Sequence, residues 1–176
     1  MIENLLNDMK NAKENKIYYA AMALALMIPD ICGKIQYSKG NDKEKYIRWF
    51  DEWIYKYFEF PKSKYDQFDF YDEQAKFDGK VCYALRCAYL HAGNSDLQKS
   101  KGMGEPLLRI EFCVSNEEFQ YGDSHGCRIS DGELVDVHRR FNIENLLDAF
   151  LLGTKDYIMK YGDAPENCVP FVIYEI

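Results

Sequence analysis

Apolar residues in the first half of the chain recur at three- and four-residue steps, the period of an amphipathic helix. One such series begins at Ile17 and ends at Ile35, and Pro29 predicts a bend or a break within it. A second series follows Asn41 or Asp42, either of which can cap a helix. Its stripe consists of Tyr46, Phe50, Trp53 and Tyr57. The first half is therefore predicted to be helical.

A third helix is predicted from Lys80 to Gly93, with Asp78 as its N-cap and Gly93 as the glycine that ends it. The period changes at Leu108, where apolar residues begin to alternate with polar ones up to Val114, as in a half-buried strand. Helical spacing is lost there, so the chain is expected to change architecture after residue 104.

The strand pattern continues around an Asp-Gly pair at 131–132, a dipeptide that suits a two-residue hairpin turn. This pair joins a strand near Cys127–Ile129 to one at Leu134–Val137. Asn142 is then expected to cap a last helix, and residues 169–176 resemble a final strand. The sequence predicts a mainly α (α+β) single domain over residues 1–176, in which a small antiparallel β-sheet is inserted into a helical bundle at about 104–138.

Composition narrows the class of protein. The 176 residues carry a formal net charge of −7, which disfavours broad, sequence-independent DNA binding. The start of the chain lacks the pattern of a secretory signal, and the apolar run from Ile17 to Ile28 is shorter than the ~20 residues that span a bilayer. The six cysteines are then expected to be reduced. We expect a cytoplasmic protein without a membrane segment.

Metal and cofactor sites are not predicted. A metal site would need Cys113, His125, Cys127 and His138 to converge, but no C-x-x-C pair sets a ligand spacing. The chain also contains no glycine-rich phosphate loop. We therefore expect chemistry, if there is any, to use side chains alone.

The third predicted helix carries the one pair of residues that points to chemistry. His91 can exchange a proton near neutral pH, and Arg86 carries a permanent charge on a planar fork that suits phosphate. The same pair could also be structural, because a histidine near a helix C-terminus is favoured by the helix dipole. Spacing alone favours the structural interpretation.

The residues around Arg86 and His91 favour a functional role for the pair over a structural one. Leu85-Arg86-Cys87 and Leu90-His91, followed by Ala-Gly-Asn94-Ser95, resemble the motif helix of the HEPN superfamily, the higher-eukaryote and prokaryote nucleotide-binding helical domains. The signature there is an arginine, four to six residues, and a histidine. Two features depart from it: Cys87 stands where many active members have a polar residue, and Gly93 stands where members paired with minimal nucleotidyltransferases have tyrosine.

The resemblance implies an endoribonuclease that needs no metal and acts as a homodimer, of a kind found in uncharacterised bacterial proteins and in defence or toxin systems. Arg86 and His91 would be its catalytic residues. Asn94, Ser95 and Lys99 would contact RNA, although ordinary turn residues would look the same. A non-catalytic helical interaction or regulatory domain is the alternative, and a protein unrelated to the family is a third.

Helix geometry bears on the dimer. At about 100° per residue, Arg86 and His91 lie roughly 140° apart around a straight α-helix. One straight helix therefore cannot easily aim both side chains at one phosphate. Either the chain unwinds before Gly93, or a two-fold axis packs this helix against its copy and brings both pairs into a shared cleft. The family resemblance implies the second, a homodimer with a composite site.

Overall fold

The computed structural model describes residues 1–57, 77–92, 96–97, 107–114, 123–130 and 133–163. Within these ranges the chain forms a helical bundle and one four-stranded sheet. The helices are α1 (Ile2–Glu14), α2 (Tyr18–Gln36), α3 (Asp42–Trp53), α4 (Gly79–Cys87) and α5 (Ile143–Tyr161). A short 3₁₀ turn, Tyr55–Tyr57, follows α3, and a π-helical turn, Ala88–Ala92, continues α4.

The predicted helix starts are confirmed by their caps. Asn41 accepts a hydrogen bond from the backbone N–H of Glu44, whose carboxylate accepts one from the N–H of Asn41, so α3 begins with a capping box. Asp78 caps α4 and Asn142 caps α5. Helix α2 runs without interruption through Pro29. Gly93 and the expected strand at 169–176 lie outside the described residues.

The sheet consists of β1 (Asp96–Leu97), β2 (Leu107–Cys113), β3 (Asp123–Ser130) and β4 (Glu133–Asn142), in the order β1-β2-β4-β3. The predicted hairpin between β3 and β4 is confirmed by their antiparallel pairing. The prediction of a purely antiparallel sheet is wrong, because β2 and β4 at the centre run parallel. The sheet also extends beyond the predicted 104–138, from β1 to the start of α5.

The parallel pairing has a topological cause. The hairpin turn makes β3 antiparallel to β4 and leaves the other edge of β4 open. Strand β2 pairs with that edge in the parallel sense, and β3 lies between the two strands in the sequence. Alternation along the sequence locates strands but does not specify their neighbours.

The core lies where α5 packs across α2 and α3. Aromatic rings dominate it: Trp49 meets Tyr157 edge to face at 5.4 Å between ring centroids, and Phe50 meets Phe150 at 5.7 Å. Gly153 permits close approach of α5 to α3, because a Cβ there would collide with the backbone carbonyl of Trp53. Helix α5 is thereby fixed against α3.

Helix α1 was not predicted, although Ile2, Leu6 and Met9 are all buried at helical spacing. Within the described ranges, only α2 is long and apolar enough to cross a membrane. Of its most apolar window, 44% is buried inside the protein, and core helices of soluble proteins pass the same length and composition test.

Candidate functional site

The motif helix α4 is clamped to α3 at its first turn. The backbone N–H of Gly79 donates to Asp51 at 2.7 Å, and the burial of Asp51 raises the pKa of its carboxyl group. A side chain at Gly79 would meet the carbonyl oxygen of Ile47 at 2.5 Å, so only glycine allows this approach. The start of α4 therefore sets the position of Arg86, two turns further along.

Arg86 lies in the last turn of α4 and forms an ion pair with Asp30 of α2. Its Nη2 donates to the Asp30 Oδ2 at 2.5 Å, and the two side chains are 23% and 17% exposed. Burial lowers the pKa of the guanidinium, but the Asp30 charge and a hydrogen bond with Cys87 outweigh burial and raise it. Arg86 is thus a fixed, charged fork with part of its surface open to solvent.

Cys87, the residue that departs from the family pattern, takes part in this arrangement. Its side chain lies close enough to Arg86 and Tyr83 to raise the pKa of both groups. Burial first, and then the neighbouring Cys87, raise the pKa of the Tyr83 hydroxyl above its ordinary value. The thiol therefore occupies a position beside the arginine where a polar group can orient the guanidinium.

His91 lies in the π-helical turn Ala88–Ala92, immediately after α4. A π-helix closes i→i+5 hydrogen bonds and advances fewer degrees per residue than an α-helix. The backbone at His91 is consequently rotated back toward the face of Arg86, relative to the separation of a straight α-helix. This π-helical turn changes the helix type but is not the unwinding before Gly93 that the first geometric alternative supposed, and the second alternative, the two-fold axis, stays a prediction. The His91 side chain is outside the described part of the structure.

The other predicted contact residues, Asn94, Ser95 and Lys99, also lie outside the described residues. His125 and His138 fall on the paired strands β3 and β4, but their side chains are not described. Among the residues that are described, no group of three or more His, Cys, Asp or Glu side chains could hold a metal ion. Cys32, Cys82, Cys87 and Cys113 are free thiols.

A cavity of about 710 Å³ opens beside the π-helical turn. It lies between the start of α2, the π-helical turn and the ends of β2 and β4. Its lining includes Tyr18, Tyr19, Tyr89, Glu111, Phe112 and Arg140. This cavity could not be predicted from the sequence, because its residues come from four separate segments. The alternation in β2 indicates only that Glu111 faces away from the core.

No family model matches the chain, and no curated protein and no solved structure is significantly similar to it.

Proposed function

We propose that the protein is a HEPN-like endoribonuclease that cleaves RNA without a metal ion, through Arg86 and His91 at a homodimer interface. The π-helical turn that begins just after Arg86 and contains His91 is the observation that supports it most. π-Helical turns are rare in proteins as a whole, but those that occur are frequently found at functional sites. The π-helical turn also reduces the angle between Arg86 and His91 around the helix axis. On a straight α-helix that angle argued against both side chains reaching one phosphate.

In the proposed reaction, the 2′-hydroxyl oxygen attacks the adjacent phosphorus and the bond from phosphorus to the 5′-oxygen breaks. The products are a 2′,3′-cyclic phosphate and a free 5′-hydroxyl. His91 takes the proton from the 2′-hydroxyl or gives one to the 5′-oxygen, and a group with a pKa near the working pH does either best. Arg86 stabilises the charge that develops on the phosphorane oxygens.

The ion pair with Asp30 is compatible with this role. A guanidinium carries five N–H donors in a rigid fork, and the contact from Nη2 to Asp30 holds that fork in place. A cationic group held in place before substrate binds loses little freedom in the transition state. Its remaining exposed surface gives a phosphate a route of approach.

The test is to incubate the purified protein with single-stranded RNA in EDTA and to map the ends of any fragments. Fragments ending in a 2′,3′-cyclic phosphate are expected. Intact RNA, or cleavage that EDTA abolishes, would contradict the proposal.

The proposal requires a homodimer, and α2 offers a surface for it beside the motif helix. Ala20 and Met27 are exposed and Leu24 and Ile31 are half-buried, at the spacing of one helix face.

We expect light scattering to give twice the chain mass at micromolar concentration. Met27→Glu should shift the protein towards monomer, because it buries a charge in an apolar contact. Met159→Glu, the same substitution at an exposed methionine of α5, is the matched control. A wild-type monomer would contradict the dimer.

The Asp30–Arg86 pair also favours a second candidate function, a non-catalytic regulatory or interaction domain. In that case Arg86 serves only to neutralise Asp30 within the bundle. A partly buried carboxylate that loses its partner is destabilising.

A double-mutant cycle separates these two roles. Arg86→Ala and Asp30→Ala should each lower the free energy of unfolding by about 1–3 kcal/mol, and the double variant should lose less than the sum. The measurement is urea denaturation followed by circular dichroism. If Asp30→Ala leaves RNA cleavage intact while Arg86→Ala abolishes it, the arginine has a role beyond the pair. If neither the wild type nor any variant cleaves RNA while the cycle shows the expected coupling, the regulatory interpretation is favoured.

A further inference from the structure

The cavity beside the π-helical turn has the size and lining of a small-molecule site. Its volume of about 710 Å³ falls within the range of about 300–1,000 Å³ that is common for ligand pockets. Its inner surface is apolar, with Met22, Ile110 and Ile143. Its polar groups are few, which suits a ligand with a flat apolar body and a hydrogen-bonding edge.

Two tyrosines form a stacking platform at this cavity. The rings of Tyr19 and Tyr89 are nearly parallel, with an angle of 16° between planes and 6.4 Å between centroids. The hydroxyl of Tyr89 donates to the backbone carbonyl of Tyr19 at 3.0 Å, which fixes the orientation of the Tyr89 ring. Tyr19 itself is 83% exposed, an unusual position for a large aromatic side chain. The exposed ring can therefore take a further planar group.

The polar edge of the cavity comes from neighbouring strands. Glu111 of β2 and Arg140 of β4 are partners in the parallel register, and Arg140 Nη2 donates to Glu111 Oε2 at 3.2 Å. The side chains are 48% and 45% exposed, and surface ion pairs of this kind contribute little to stability. Arg140 and Glu111 can consequently weaken the hydrogen bond between them and bind a ligand that offers a donor and an acceptor side by side.

We infer that this cavity binds a nucleobase of single-stranded RNA, stacked against the Tyr19–Tyr89 platform with its edge toward Glu111 and Arg140. The inference rests on the proposed function, for which it supplies the substrate subsite. Tyr89 lies in the same π-helical turn as His91, so a base held here is joined to a phosphate near the motif. Arginine and glutamate are side chains that pair with base edges.

Charge favours a base over a bare phosphate at this place. The carboxylate of Glu111 stands beside the guanidinium of Arg140 and would repel an anion. A base presents both N–H donors and acceptor atoms, so both side chains gain a partner. Stacking on an aromatic ring adds affinity whichever base is present, because every base has a π face.

The test measures binding separately from cleavage. The four ribonucleoside 5′-monophosphates are titrated into the protein by calorimetry, with ribose 5-phosphate as the probe that lacks a base. We expect the nucleotides to bind and ribose 5-phosphate not to bind. Tyr19→Ala should weaken binding about five- to hundredfold, the loss associated with one stacked base, and Tyr19→Phe should restore it. Arg140→Gln should weaken it about two- to tenfold.

Tyr161→Ala is the matched control, an exposed tyrosine at the far end of α5, and it should bind as wild type does. Equal binding of ribose 5-phosphate, or unchanged binding by Tyr19→Ala, would overturn the inference. So would loss of the dimer in Tyr19→Ala without any nucleotide binding, which would make this surface a contact between copies.

The two proposals can fail independently. If nucleotides bind, with the predicted losses in the variants, but RNA is not cleaved, the nuclease proposal is refuted and the base site is supported. If RNA is cleaved and Tyr19→Ala leaves KM unchanged, the nuclease proposal is supported and the base site is refuted. If Tyr19→Ala raises KM and leaves kcat unaffected, both proposals stand.

Discussion

His91→Ala is expected to abolish RNA cleavage. Removing a general acid or base typically lowers the rate about 10²–10⁴-fold, whereas a histidine far from the chemistry has almost no effect. The matched control is His125→Ala, the same substitution on strand β3. The measurement is the initial rate of fragment formation from single-stranded RNA in EDTA. Full activity of His91→Ala would refute the assigned role.

Arg86→Ala is expected to be equally inactive, but its loss needs a control for folding because Asp30 would lose its partner. Arg86→Lys supplies that control. It keeps the positive charge beside Asp30 and so should keep most of the stability, yet it lacks the planar fork. We expect it to recover only part of the activity. A folded Arg86→Lys variant that cleaves at the wild-type rate would show that the fork is not needed.

Trp49→Ala is expected to lower the free energy of unfolding by about 3–5 kcal/mol, the range for removing a large aromatic side chain from a core. Trp49 is fully buried and packs against Tyr157, so the cavity would lie between α3 and α5. For a chain of this size the loss corresponds to a fall in Tm of roughly 6–20 °C. Urea denaturation and thermal unfolding measure both quantities.

Replacing each of the two tryptophans of α3 with phenylalanine gives a matched comparison. The indole N–H of Trp49 is buried and has no hydrogen-bond partner within the described ranges, whereas that of Trp53 donates to Gln36 at 3.0 Å. Trp49→Phe removes an unpaired donor and keeps a ring against Tyr157, so it should be the milder change. Trp53→Phe also breaks a hydrogen bond, which contributes about 0.5–1.5 kcal/mol. A costlier Trp49→Phe would contradict this assignment.

The sequence by itself determined where most described elements begin and what type they are. The reason is local: Asn41, Asp78 and Asn142 each cap the helix that follows by bonding backbone groups a few residues away. The β3–β4 hairpin is likewise local, because its turn brings neighbouring segments together. Helix α1 carries the same kind of periodic signal, with Ile2, Leu6 and Met9 buried on one face.

Tertiary structure decided what depends on distant segments. The parallel pairing of β2 with β4 follows from the side of the hairpin that β2 occupies, which no local pattern encodes. The partner of Arg86 comes from α2, and the change from α- to π-helical geometry at Ala88 is absent from the periodicity of the sequence. The tyrosine-lined cavity is of the same kind, because residues from four segments become neighbours only after the bundle and sheet have packed.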